Sequence, residues 1–275
     1  MRTKPSFHLT QTDLFELEAE SAPPYTVSAP IYDHMMREVD YPSWAKYILM
    51  LMKLAGKETR RSKIKDTKLC ELACGTGNIS LIMSKLGYDV TGIDSSKQML
   101  EVAQTKLSRT RRRNACFINH DMVTYSSKET FDTAVCVYDS INYISDANAL
   151  AQFFRNVYAS LKPGGVFVFD ASLESNSLSD ASLFTQRGRH KGIHYQRRSL
   201  YDPKTKIHTT YVRVQRKDEL FEETHREYVY KLDTIRGLCG KAGFNEKFVA
   251  GDFTMLEANN ESQRVHFVLV KPNHD

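Results

Sequence analysis

Residues 71–78 read Glu-Leu-Ala-Cys-Gly-Thr-Gly-Asn, and this stretch decides the fold. The apolar run KLCELA (68–73) enters two glycines one residue apart. It leaves directly into a segment that carries Ile79, Ile82, Met83 and Leu86 on one helical face, with Gly87 as its stop. A strand, a glycine turn and a helix in that order let backbone approach a ligand closely and aim helix N–H groups at it.

The same rhythm continues on the C-terminal side. YDVTGID (88–94) predicts a second strand, and 95–108 a helix with Met99, Leu100, Ala103 and Leu107 on one face. NACFINHD (114–121) and FDTAVCVYD (131–139) predict a third and a fourth strand. Helix 146–161 aligns Leu150, Phe153, Phe154, Val157, Tyr158 and Leu161, and LKPGG then turns the chain into VFVFDA (166–171). Apolar runs buried on both faces and separated by amphipathic helices imply an α/β fold, a parallel sheet with right-handed crossovers.

Upstream, Asp40-Tyr41-Pro42 predicts a helix start capped by Asp40 or Ser43 and running to Gly56. Residues 1–30, broken by Pro23, Pro24 and Pro30, read as a loosely structured lead-in. After residue 171 the rhythm breaks. Residues 172–192 are polar without a period, whereas 194–203, 206–217 and 219–232 alternate apolar with polar residues, as three antiparallel strands would. A helix over 233–242 and strands over 244–251 and 264–272 return to the main fold.

Composition narrows the class. The chain has 275 residues, 41% apolar and 26% charged, which suits one large domain or a domain with a sizeable lobe. Its net charge of +5 is too small to argue for nucleic acid. The longest apolar run, YILMLM (47–52), ends at Lys53, and the N-terminus lacks the apolar block of a signal peptide, so a cytoplasmic location is expected. Five cysteines without a CxxC pair read as buried reduced thiols. His190 and His194 have i,i+4 spacing in a segment that does not read as a helix, so no metal site is expected.

The glycine turn selects its ligand by its neighbours. A dinucleotide site asks for a third glycine where this chain has Ser80, and Glu71 would repel a diphosphate but suit a cation. Asp94 ends the second strand, where a carboxylate can take both ribose hydroxyls, although Asp94, Ser95 and Ser96 would also cap a helix. Asp121 and Met122 end the third strand, where an adenine amino group and ring face would lie; a solvated carboxylate and a core methionine are the plainer readings. Adenine, ribose, a cationic amino acid and no phosphate together describe S-adenosylmethionine.

ELACGTGN, VTGIDSS, NHDM, FDTAVCVYDSINYI and SLKPGGVFVFD resemble, in order, the motifs of class I S-adenosylmethionine-dependent methyltransferases. The resemblance spans about residues 31–171 plus the terminal strand pair. It implies a Rossmann-like seven-stranded, mostly parallel sheet of order 3-2-1-4-5-7-6, with helices on both faces and the last strand antiparallel. It divides the chain into an N-terminal lid and cofactor-binding core (1–171), an antiparallel β insertion forming an acceptor lobe (172–232), and a final helix and strand pair (233–275). By carry-over, Glu71, Ala73, Gly75 and Gly77 would line the methionine end of the cofactor, Asp94 and Ser95 the ribose, and Asp121 and Met122 the adenine. Tyr138 would lie near the sulfonium.

Methyl transfer needs alignment and exclusion of water; a neutral amine needs little else, and a hydroxyl needs a base or a metal. Tyr138, Asp139, Asn142 and His120 are the candidate catalytic groups. YDSINYI is not the Asn/Asp-Pro-Pro-aromatic pattern that suits methylation of a base's amine, and no Pro-Cys nucleophile follows strand four. Lys106, Arg109, Arg111, Arg112 and Arg113 read as solvated cations at a helix C-terminus, whereas Arg187, Arg189, His190, Lys191, Arg197 and Arg198 lead into the insertion. Tyr195, Tyr201, Tyr211, Tyr228 and Tyr230 offer aromatic surface in the same lobe. The expectation is a methyltransferase acting on N or O of a small-molecule acceptor, without nucleic acid or membrane partners and with a homodimer left open. The alternatives are an RNA-modifying methyltransferase and a non-catalytic S-adenosylmethionine-binding module.

Overall fold

The computed structural model describes residues 13–60, 64–65, 67–110, 114–127, 130–180 and 185–273. The chain begins with β1 (Glu20–Ala22), α1 (Tyr32–Met35) and α2 (Tyr41–Leu54). The alternating part runs β2 (Lys68–Leu72), α3 (Asn78–Leu86), β3 (Asp89–Asp94), α4 (Lys97–Ser108), β4 (Ala115–Asn119), β5 (Phe131–Cys136), α5 (Ala147–Ser160) and β6 (Leu161–Ser172). There follow α6 (Glu174–Asp180), β7 (Thr185–His190), β8 (Ile193–Asp202), β9 (Ile207–Arg216) and β10 (Glu219–Tyr228). α7 (Leu232–Lys241), β11 (Asn245–Gly251) and β12 (Arg264–Val270) complete the described chain.

The large sheet has the order β4-β3-β2-β5-β6-β12-β11. Counted along the core alone, this is the expected 3-2-1-4-5-7-6. β12 runs antiparallel to both of its neighbours, and the remaining pairs are parallel. The sheet is buried on both faces because successive side chains alternate. On β6, Phe167 and Phe169 join Phe153 and Phe154 of α5 on one face, while Val166 and Val168 join Ile48 and Leu51 of α2 and Met83 of α3 on the other. α2 starts as its sequence predicts, with Asp40 Oδ1 accepting from Ser43 N at 3.0 Å and a proline in the first turn. Cys70, Cys74, Cys136 and Cys239 are buried, and Cys116 is exposed. Among the described residues, no helix is long and apolar enough to cross a membrane.

The second sheet has five strands, β1-β10-β9-β8-β7, where the alternation predicted three. The two additions are its edges. β1 comes from the lead-in and pairs parallel with β10, Glu20 opposite Phe221. β7 reads TQRGRH and lies partly exposed along its length. An edge strand that buries no full face carries no apolar alternation, and its charges are the ordinary protection of a sheet edge. The lead-in is therefore part of the lobe, from residue 13 onward.

Candidate active site

The turn after β2 winds through three left-handed residues, Ala73 (φ 54°), Gly75 (φ 54°) and Gly77 (φ 75°). Ala73 holds there a conformation costing roughly 1–3 kcal/mol, of the kind that surrounding structure must enforce. Gly77 serves close packing: a Cβ there would lie 2.8 Å from Phe117 Cζ. At Gly75 a Cβ would meet only Met99, at 3.8 Å, and the residue borders open cavity.

Asp94 is fixed by two backbone donors, Gly75 N at 2.7 Å and Ser96 N at 2.8 Å. It thereby joins the end of β3 to the glycine turn. The cap of α4 is Ser96, whose Oγ accepts from Met99 N at 3.2 Å and donates to Tyr25 O at 2.8 Å. Burial raises the Asp94 pKa. Glu71 is 3% exposed, accepts from Ser80 Oγ, and is pushed up to about 7, chiefly by burial.

These groups face a cavity of about 710 Å³, inside the range of roughly 300–1,000 Å³ for small-molecule sites. Ala73, Gly75, Ser95, Asp121, Met122 and Tyr138 also line it, whereas Gly77 and Asn142 do not. Pro23, Pro24, Tyr25 and Thr26 form its cover. A second chamber of about 430 Å³ lies between the core and the inner face of β8, β9 and β10. The two meet at Tyr25, Tyr32, Tyr138 and Tyr143, which line both. Tyr138 (φ 62°) and Asp139 (φ 46°) are consecutive left-handed residues, a second enforced strain at the junction. The Tyr138 ring stacks on Trp44 at 4.4 Å, and its hydroxyl has no hydrogen-bond partner among the described residues.

The cover is held at both ends. Glu223, fully buried on β10, accepts at Oε1 from Thr26 N (2.9 Å), Val27 N (2.7 Å) and Ser28 N (2.9 Å). Its Oε2 accepts from Ser28 Oγ at 2.6 Å and lies 3.1 Å from His225 Nε2. At the other end, Asp33 of α1 accepts from Thr76 Oγ1 at 2.6 Å, Asn78 Nδ2 at 3.0 Å and Lys106 Nζ at 2.8 Å. Lys106, expected as a solvated helix cation, instead reaches the glycine turn, with Asn78 Oδ1 at 2.6 Å. Arg111, Arg112 and Arg113 of that basic cluster lie outside the described residues.

The candidate catalytic residues separate. Tyr138 lines both cavities and Asp139 lines the second chamber, where it pairs with Arg264 at 2.9 Å; Arg264 also holds the buried Asp170. Asn142 is fully buried and spent: its Nδ2 donates to Ser172 O (3.0 Å) and Tyr228 O (2.9 Å), and its Oδ1 accepts from Ser172 N (3.0 Å). It ties β6 to β10 and faces neither cavity. His120 is exposed against Tyr125, its Nδ1 2.9 Å from Asp121 O, and it lines neither cavity.

Neighbouring residues of a strand face opposite ways, so Arg197 lines the second chamber while Arg198 pairs with Asp13 and covers Phe15 at 4.4 Å. The lobe's tyrosines pack rather than line: Tyr195 is buried among Ile31, Met35 and Val212, and Tyr230 donates to Ile144 O at 2.6 Å. Glu227, His225, His208 and Arg264 are chamber residues that motif reading missed. For Glu227 and His225 the signal was a strand carrying Glu223, His225 and Glu227 at alternate positions; His208 and Arg264 stand on other strands.

Comparison with known proteins agrees with this arrangement. Residues 69–165 match a family described as a methyltransferase domain. The Bacillus subtilis protein YqeM is 29% identical over 248 residues, covering 88% of this chain and 95% of its own. A solved S-adenosylmethionine-dependent methyltransferase from Clostridium acetobutylicum superposes with a TM-score of 0.73 at 23% identity, covering 90% of this chain and 98% of that one. The sugar N-methyltransferase KedS8 from Streptoalloteichus does so at 0.68 and 21%, covering 88% and 93%. These likenesses, with the ordered motifs and the fold, support an S-adenosylmethionine-dependent methyltransferase of the class I type. Its cofactor is S-adenosylmethionine, and the donor set fits that ligand: Glu71, desolvated and raised to about 7, is the kind of carboxylate that a cationic amino group would restore to its ionised form.

Proposed function

We propose that the enzyme methylates a nitrogen or oxygen of a small-molecule acceptor held in the 430 Å³ chamber. The observation that carries this reading is the junction: four tyrosines, Tyr25, Tyr32, Tyr138 and Tyr143, border both cavities, so an acceptor in one chamber abuts a cofactor in the other. A cleft partly covered by a strand lobe and a tethered segment suits a small molecule better than a polynucleotide, which needs a broad, basic face. KedS8, a sugar N-methyltransferase of the same fold, supports a small acceptor by analogy.

In this reading Glu71 and the turn at Ala73–Gly75 hold the methionine end, Asp94 and Ser95 the ribose, and Asp121 and Met122 the adenine. When bound, S-adenosylmethionine supplies an activated methyl carbon on a good leaving group. The protein aligns the acceptor, with Tyr138 at the junction and Asp139 on the wall of the second chamber, and excludes water through the Tyr25 cover. The test is transfer of labelled methyl into either the dialysable metabolite fraction or the total RNA of cells. Label in the metabolite fraction is expected, and label confined to RNA would overturn the reading.

A further inference from the structure

The geometry points to an amine as the acceptor, entering as its ammonium, with Glu227 as the group that orients it and takes its proton. This inference rests on the small-molecule reading above and narrows it to one chemical class.

Two independent features of the chamber carry it. The first is charge. Asp139 and Asp170 share a single counterion, Arg264 on β12, which they bracket. Glu227 on β10 lines the same chamber, as does Arg197 on β8. With Asp170, buried behind the wall, three carboxyl groups are thus set against two guanidiniums, and the chamber is one positive charge short, which an incoming cation would supply by displacing the proton of Glu227. The other titratable groups on the walls are His225 on β10, beside Glu223, His208 on β9, whose Nδ1 is 3.1 Å from Ser177 Oγ, and the tyrosines Tyr25, Tyr32, Tyr138 and Tyr143. Burial and the nearby Asp139 push Glu227 up to about 8, against the pull of Arg264 and Arg197. A carboxylate in that condition lacks positive charge, which an ammonium would supply.

The second feature is aromatic. Tyr25, Tyr32, Tyr138, Tyr143 and Trp44 all line the chamber. Rings of this kind hold an alkylammonium by their faces and stabilise its charge outside water. The aromatic junction with the cofactor cavity is also where the reacting nitrogen has to come.

The proton balance is simple. The ammonium gives one proton to the Glu227 carboxylate, leaving a neutral amine with a free electron pair and a carboxylic acid. That pair forms the new N–C bond, the C–S bonding pair remains on sulfur, and the product leaves as a methylammonium while Glu227 returns its proton to solvent. An alkylammonium with a pKa near 10 is within reach of such a base, whereas an alcohol is not.

The experiment uses the labelled products obtained from the dialysable metabolite fraction. Mass spectrometry is expected to place the methyl on nitrogen. Label only on oxygen overturns this inference and leaves the small-molecule reading standing; no label in that fraction defeats the small-molecule reading, and this inference with it. With the purified acceptor, Glu227→Gln should lower kcat/KM roughly 100-fold near neutral pH, and the deficit should shrink as the pH approaches that of the free amine. A deficit constant across pH, or none, overturns the role of Glu227. Calorimetry with S-adenosylhomocysteine checks that the variant retains its cofactor site, and Glu227→Asp, which keeps the carboxylate, should retain the wild-type pH profile.

Discussion

Replacing Glu223 by Gln removes one charge from beneath the cover and leaves its shape almost unchanged. In the native chain, that carboxylate receives three backbone amides from Thr26, Val27 and Ser28 and one hydroxyl from Ser28, all within 2.9 Å, and it neighbours His225. Glutamine can keep the amides on its oxygen, but as neutral hydrogen bonds of about half the strength, and its NH2 then faces Ser28 Oγ and His225. Hydrogen bonds to a charged group contribute about 1.5–3 kcal/mol, so the cover should open roughly 10- to 100-fold more often. Hydrogen exchange read by mass spectrometry should show this over residues 24–32, with residues 207–216 unchanged as the internal control. Affinity for S-adenosylhomocysteine should fall with it, since Tyr25 and Thr26 line the cofactor cavity. Unchanged protection over 24–32 would refute the argument that the charge holds the cover. The pH dependence has a definite sign. Burial raises the Glu223 pKa, but His225 and Ser28 hold it below the ordinary glutamate value overall. Its contribution is therefore complete above that value and is lost as the pH falls through the lowered one.

Other outcomes follow from the same geometry. Asp94→Ala should weaken cofactor binding by about 1.5–3 kcal/mol in calorimetry. It should also loosen the glycine turn, because Gly75 N loses its acceptor, and an unchanged affinity would remove Asp94 from the ribose role. Arg197→Ala should raise the acceptor KM about tenfold, whereas Arg198→Ala, a partly exposed pair with Asp13, should cost no more than about 1 kcal/mol of stability and leave KM alone; equal effects would contradict the facing of β8. Cofactor affinity should fall as the pH drops below about 7, where Glu71 gains a proton, by up to tenfold per unit; a flat titration over that range would dissociate Glu71 from the cationic end of the ligand.

The cofactor half of the molecule was legible because its signals are local. KLCELACGTGN writes its strand, turn and helix consecutively, and the continuous apolar run of β6 declares a strand buried on both faces. The half beneath the strand lobe was less legible, for a physical reason: the second chamber is assembled from residues distant in sequence. Tyr25, Tyr143, Arg197, Glu227 and Arg264 share no motif, and only the meeting of two sheets places them together. Asn142 misled because an asparagine beside a candidate site reads as catalytic, while its actual work, joining β6 to β10, needs a partner at Tyr228. β1 and β7 were missed because polar edge strands have no hydrophobic period.

The tether on the cover has a consequence for the order in which the molecule is made. Thr26 and Glu223 are separated by 197 residues of chain, and β1 adds to a strand that ends at Tyr228. On the ribosome, residues 20–28 emerge well before β10 and remain without that docking surface while the parallel sheet is laid down behind them. At roughly 5–20 residues per second, that interval is on the order of 10–40 s. A segment translated before the sheet is thus placed after it, and during that interval the nascent cofactor cleft stands open on the side that Tyr25 later closes.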